Sequence, residues 1–466
     1  MRIWIGVENF AKIESAKVCV DQYTLFVGPN NSGKTFLMQL LQGLSSRIVE
    51  FVDEEAMKIL LADRIDEYRR YLINGNNLAQ FTESINKNIN LKKEQVVKEI
   101  FGREVPIERL YIDLELEENV SCQIDIFNGD SLRNENVKRS MSREEIKFGL
   151  RLGEENENVK MGVLFTINGH EKIMESLMLG LSLASRKIDI FKRVLRTIFV
   201  RKSLFLPASR TGLMLLYREF FTNKTDQAIS YQVGELDLVK DEEQYGGLTQ
   251  PMYEFLRFLQ TYSEDEEKRE RYKQELDFFE DKIIEGHVNV SKQGKFSYYA
   301  KGDRQLVPMY LASAMVNEVA PLVLALTSER RYEMLIIDEV EASLHPQKQL
   351  KLVRFLNRIN NKGIRLILST HSDAFVSKLN NLFLLSEQFK NSKDDEIKRR
   401  FHIEEEDLTS TDKIFVYEFV FHENGKSIVK EIIPDPKMGY KFDLFTKSAM
   451  DLYDEALRLG EMHSND

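Results

Sequence analysis

Residues 28–35 read GPNNSGKT, with glycines at 28 and 33 and a Lys34-Thr35 pair closing the stretch. Glycine reaches backbone conformations that other residues avoid, so such a loop can fold tightly around an anion with its N–H groups turned inward. The flanks fit that use. Thr24-Leu-Phe-Val27 reads as a strand, and Phe36-Leu-Met-Gln-Leu-Leu41 reads as the start of an apolar helix. A helix beginning near Lys34 adds the positive end of its dipole. This is the Walker A pattern. It predicts a triphosphate cradled by Gly28, Asn30, Asn31, Ser32 and Gly33, with Lys34 on the β- and γ-phosphates and the Thr35 hydroxyl on Mg²⁺.

A Walker A lysine needs a carboxylate partner at the end of a buried strand. Met334-Leu-Ile-Ile-Asp-Glu339 supplies one. Asp338 is predicted to bind Mg²⁺, directly or through water, and Glu339 to polarise the attacking water as general base. Further on, Leu366-Ile-Leu-Ser-Thr-His-Ser372 forms another buried strand. Its His371 is placed to hydrogen-bond the γ-phosphate or the water. Upstream, Leu311-Ala-Ser-Ala-Met-Val-Asn-Glu318 opens an apolar helix. Ser313 there is an ordinary N-cap and also a good phosphate contact.

The chain has 466 residues, 42% of them hydrophobic, which suits a folded protein of one elaborated domain or a few smaller ones. No run of about 18 apolar residues predicts a membrane span. MRIWIGVENF carries no secretory pattern. With only two cysteines, Cys19 and Cys122, a disulfide framework is not expected, and a cytoplasmic location is the default. The net charge of −10 does not advertise nucleic-acid binding. One segment does. Arg186–Lys202 holds seven basic residues and one acid, and reads as a solvated basic face or as a contact for DNA or an acidic partner.

The order of the elements divides the chain. Three short strands are expected at Met1–Ile5, Ala16–Val20 and Tyr23–Val27. Residues 35–100 show helical period. Leu110–Leu116 and Cys122–Phe127 alternate and read as a pair of strands. Residues 171–200 return to helical period, and Ser203–Gly212 reads as a strand running into a Pro/Gly loop. Helices follow to 285. Asp412–Val420 and Ser427–Ile433 read as a hairpin, and Phe442–Leu459 as a short helix. The expected domains are therefore 1–45, the first part of an α/β head with Walker A; 46–200, an inserted helical and β region; 201–385, the second part of the head, with a helical insertion at 213–285; and 386–466, a hairpin and helix completing it.

GPNNSGKT, LASAMVNEVAPL, IIDEVEASLHP and LILSTHS, in that order, resemble an ABC-type ATPase head of the OLD-like and SMC-like group. Glu8-Asn-Phe10 and Leu206-Pro-Ala-Ser-Arg-Thr-Gly212 fit the same group. The resemblance spans roughly residues 1–45, 200–215 and 300–385. It implies a P-loop sheet, Mg-ATP hydrolysis and head-to-tail dimers or larger assemblies. In these, Ser313 serves as the signature serine on the nucleotide of a second subunit. No glycines follow Ser313, unlike the usual LSGGQ, and no Gln-loop glutamine is identifiable; Ser209 and Arg210 occupy that neighbourhood. The tail after Ser372 is too short for the nuclease domain of OLD proteins. The chain therefore resembles the stand-alone ATPase subunit of bacterial anti-phage systems of the Septu PtuA or PARIS type. Such a subunit gates a separately encoded effector, often a nuclease. Three other readings stand beside it: a recombination-type DNA-repair ATPase, an ATP-bound scaffold with little turnover, and a transporter motor.

Overall fold

A computed structural model describes residues 2–20, 22–60, 71–73, 75–115, 121–128, 145–150, 160–167, 170–177, 192, 195–196, 201–208, 210–218, 220–221, 247–291, 294–303, 305–392, 395–442 and 450–458. The strands of its largest sheet are β1 (Arg2–Phe10), β2 (Ile13–Cys19), β3 (Tyr23–Val27), β4 (Arg109–Glu115), β5 (Ser203–Leu206), β6 (Met334–Ile337), β7 (Arg365–Thr370), β8 (Ile414–Phe421) and β9 (Ser427–Glu431). Their order is β5-β6-β7-β3-β8-β9-β2-β1-β4. From β5 to β8 every pairing is parallel. The far side is mixed: β8–β9, β2–β1 and β1–β4 are antiparallel, and β9–β2 is parallel.

Parallel strands covered on both faces read as unbroken apolar runs, which is why TLFV, MLII and LIL stand out in the sequence. Successive side chains on such a strand point to opposite faces. Leu25, Val27, Leu335, Ile337, Leu366 and Leu368 enter one core. Phe26, Met334, Ile336 and Ile367 enter the other. On the Phe26 side lie α1 (Lys34–Ser45) and α2 (Gly75–Phe101). On the Leu25 side lie α3 (Ala314–Thr327), α4 (Pro346–Asn361) and α5 (Asp373–Ser392). The architecture is α/β.

Several expectations need correction. β1 runs on to Phe10 because antiparallel pairing with β2 and β4 continues through Glu8. The alternating segments near 110 and 122 do not pair with each other. β4 closes the edge of the large sheet against β1, whereas Ser121–Asn128 joins a separate sheet with Tyr71–Ile73, Glu145–Leu150, Lys160–Ile167 and His170–Leu177. His170–Leu177 is a strand, not the start of a helix, held by antiparallel pairing with Lys160–Ile167. The helix expected from 213 is already present at Arg210, so the loop after Leu206 is shorter than the sequence suggests. Most of the basic stretch 186–202, and Ser209, lie outside the described residues. Ile414–Phe421 and Ser427–Glu431 do form the hairpin, inserted beside β3. Among the described residues no helix is long and apolar enough to cross a membrane.

Candidate functional site

β3 delivers the chain into the loop at Gly28, and the loop ends where α1 begins. Gly28 has φ 145° and Gly33 φ 99°, while Asn31 takes φ 63° at the exposed tip beside Asn30. A Cβ on Gly28 would stand 2.8 Å from the Phe419 Cβ and 2.8 Å from its carbonyl oxygen. Both backbone conformation and space therefore require glycine. A Gly28→Ala chain is expected to lose nucleotide affinity by about tenfold or more, since β8 backbone must shift for the loop to keep its shape. Calorimetric titration with Mg-ATP checks this; wild-type affinity would show the close packing to be dispensable.

Gly33 is the N-cap of α1 and offers no side-chain oxygen, leaving the first-turn N–H groups directed at the loop interior. Lys34 is 5% exposed, and its Nζ donates to the carbonyls of Gly28 at 3.0 Å and Pro29 at 2.8 Å. Burial lowers its pKa to about 8, against the opposing pull of Asp338, Glu339 and Glu341. The ammonium therefore remains largely charged at neutral pH.

The end of β6 meets this loop. Thr35 Oγ1 donates to Asp338 Oδ2 at 2.6 Å, and Ser369 Oγ donates to Asp338 Oδ1 at 2.5 Å. Ser369 Oγ also accepts from the Glu339 backbone N–H at 2.8 Å. One seryl hydroxyl at the end of β7 thus ties both acids to the neighbouring strand. Glu339 has φ 46°, a left-handed conformation that is costly for a residue with a side chain. Such strain persists only where surrounding contacts over-determine it. Burial raises the Glu339 pKa, and Asp338 and Glu341 add to the rise. A raised carboxyl pKa marks a better proton acceptor.

His371 follows β7, and its backbone N–H donates to Glu341 Oε1 at 2.6 Å. Burial, then the Lys34 charge, lowers the imidazole pKa, favouring the neutral ring. Thr35 and Asp338 form an oxygen-only pair, one hydroxyl and one carboxylate, that suits a hard cation such as Mg²⁺.

Gly28–Thr35, Asp338, Glu339 and His371 thus share one end of the parallel strands. Ser313 does not join that group. It caps α3, its Oγ accepting from Val316 N–H at 3.3 Å, and lies exposed beside a concavity lined by Tyr298, Lys301 and Leu311. Ser369, Glu341 and Glu318 lie inside the sequence motifs without an expected role, and Arg210 is expected only to stand where a Gln-loop residue would. Glu318, a charge in an apolar helix, carries the one sequence signal among them. Arg210 is 1% exposed and donates to the carbonyls of Asp338, at 2.8 Å, and Glu339, at 3.0 Å.

No curated protein matches the chain. Among solved structures it is similar to an SMC head bound to the C-terminal winged-helix domain of ScpA, at 10% identity and TM-score 0.37, covering 92% of this chain and 97% of that one. It is similar to the SMC head domain from Thermotoga maritima, at 10% identity and TM-score 0.32, covering 93% and 100%. A third is an SMC head domain with an extended coiled coil bound to the C-terminal domain of ScpA derived from Pyrococcus furiosus, at 11% identity and TM-score 0.34, covering 97% and 98%. Residues 129–377, which include Asp338, Glu339 and His371, match the family described as "AAA domain, putative AbiEii toxin, Type IV TA system". That stretch is more than half of the chain. The fold is α/β, and the chain belongs to this AAA domain family.

Proposed function

We propose that the chain binds Mg-ATP in the Gly28–Thr35 loop and hydrolyses it. The observation that carries this reading is the hydrogen-bonded path Thr35–Asp338–Ser369–Glu339, which joins the start of α1 to the ends of β6 and β7. Lys34 brings a buried positive charge to the phosphates. Thr35 and Asp338 would hold Mg²⁺, which when bound would neutralise phosphate charge. Glu339 takes the proton of the attacking water, and neutral His371 orients that water or the terminal phosphate. Burial of Lys34 and Asp338 strengthens the interactions these two make.

Ser313, exposed at its cap with Tyr310 and Leu311 exposed beside it, serves the nucleotide of a second copy in a head-to-tail dimer. The ATP-driven dimer gates a separately encoded effector, a nuclease in anti-phage defence. The family description, which names a toxin of a TA system, supports a chain that works with a partner gene product. The location is cytoplasmic.

Phosphate release by purified protein with Mg-ATP tests the reading. Glu339→Gln keeps the shape of the site and removes the base. Turnover is expected to fall about 10²-fold or more, with ATP binding retained. Turnover near that of the wild type would remove Glu339 from the role.

A further inference from the structure

Arg210 heads the largest fully buried side chains among the described residues. β5 and β6 run parallel, with Leu206 opposite Ile337, so the chain leaves both strands side by side. Asp338 N–H donates to the Leu206 carbonyl at 2.9 Å. From there Arg210 reaches back across the exit of β6. Its Nη1 and Nη2 take the Asp338 and Glu339 carbonyls, and its Nε donates to the Glu318 carbonyl at 2.9 Å. Glu318 Oε2 stands 3.0 Å from the same Nε, an ion-pair approach, because the N–H points at the carbonyl. Glu318 Oε1 accepts from Thr211 N–H at 3.0 Å, and Thr211 Oγ1 donates to the Ala314 carbonyl at 3.3 Å.

Two facts set this cluster apart from ordinary core packing. A buried ion pair contributes little net stability compared with apolar side chains of similar volume. The guanidinium also directs its donors at main-chain oxygens, and two of these belong to the residues that carry the cation ligand and the base. Bonds to those oxygens fix peptide planes, and so fix the left-handed Glu339 turn. The other end of the cluster is α3, the helix capped by Ser313.

We propose that Arg210 is a positioning residue for hydrolysis: it locks the Asp338–Glu339 turn to α3, so the placement of the base follows the placement of the helix that Ser313 caps. This role rests on the hydrolase reading above. It makes Arg210 a mechanical link from the surface that a second copy contacts to the catalytic turn of the same chain.

The test separates positioning from charge balance. Arg210→Met alone strands the Glu318 carboxylate and can unfold the protein. The double variant Arg210→Met/Glu318→Gln removes both charges and keeps an oxygen for Thr211 N–H. It is expected to melt near the wild-type temperature and to bind Mg-ATP within about threefold of wild type. Its kcat should fall about 10²-fold with KM little changed, the signature of a misplaced catalytic group. Arg210→Lys keeps the charge but has fewer aimed donors; about a tenfold loss in kcat is expected. A double variant with wild-type kcat would overturn the role, as would losses in kcat that merely track melting temperature and affinity. If the double variant does not fold, Arg210→Lys decides, and wild-type kcat there overturns the role. Wild-type protein that releases no phosphate overturns the hydrolase reading and this role together. Wild-type turnover with an equally fast double variant overturns the role alone.

Discussion

A Lys34→Ala chain is expected to bind Mg-ATP about 10²-fold more weakly, and to turn over the remainder at least about 10²-fold more slowly. The first loss follows from charge-assisted hydrogen bonds to the phosphates, worth about 1.5–3 kcal/mol each. The second follows from removing a donor aimed at charge that builds up in the transition state. The surroundings increase both. Asp338, Glu339 and Glu341 act on Lys34 as its negative neighbours. Without the ammonium, these carboxylates would face a triphosphate of their own sign. The Gly28 and Pro29 carbonyls would also lose the donor that fills the loop. Equilibrium binding of a fluorescent ATP analogue, phosphate release and a melting curve are the three measurements needed. Unchanged binding and hydrolysis in a folded variant would overturn the assignment of the loop.

Two inactive chains mixed together are expected to regain about a quarter of wild-type turnover. Take Lys34→Ala and Ser313→Arg. If Ser313 completes the site on a second copy, each homodimer has one broken half in every site. In a heterodimer, one site receives both substitutions. The other joins the intact Lys34 of one chain to the intact Ser313 of its partner. Random pairing makes half of the dimers mixed, each with one good site of two, provided nucleotide closes the dimer and the sites fire independently. Strictly coupled sites would give less, so subunit exchange is followed in parallel by energy transfer between labelled chains. Exchange without recovery would remove the in-trans role. So would a Ser313→Arg chain that hydrolyses ATP normally, leaving Ser313 as the N-cap of α3 alone.

The parts of the fold that sequence reveals are those governed by local chemistry. Gly28 and Gly33 announce a loop with positive φ. MLII and LIL announce strands buried on both faces. Ser313 announces a helix start, and α3 begins at Ala314. Pairing over long range is not local. β4 shows a clean alternation, as does Ser121–Asn128, and alternation says which face of a strand is buried without naming its neighbour. Hence the two looked like partners although they lie in different sheets. His170–Leu177 misled for a related reason: HEKIMESL carries its apolar residues at spacings that suit a helix, and the ladder with Lys160–Ile167 decided otherwise. Glu318 is visible as a charge in an apolar helix, and Arg210 as a charge in the Pro/Gly stretch after β5. That they meet, and that they meet over the carbonyls of Asp338 and Glu339, depends on β5 lying beside β6.

The hairpin β8–β9 gives the chain an order of assembly. β8 is the parallel neighbour of β3, and Phe419 forms the wall against Gly28. Ser427 Oγ donates to the Ser32 carbonyl from β9. A ribosome makes the Gly28–Thr35 loop long before it makes the wall at Phe419. Until then one edge of β3 is unpaired, a state prone to wrong pairing. A chain halted just after His371 would carry Walker A, Asp338, Glu339 and His371 and still lack the strand that shapes Gly28. A chain that stops short of β8 is therefore expected to capture nucleotide poorly, however much ATP surrounds it.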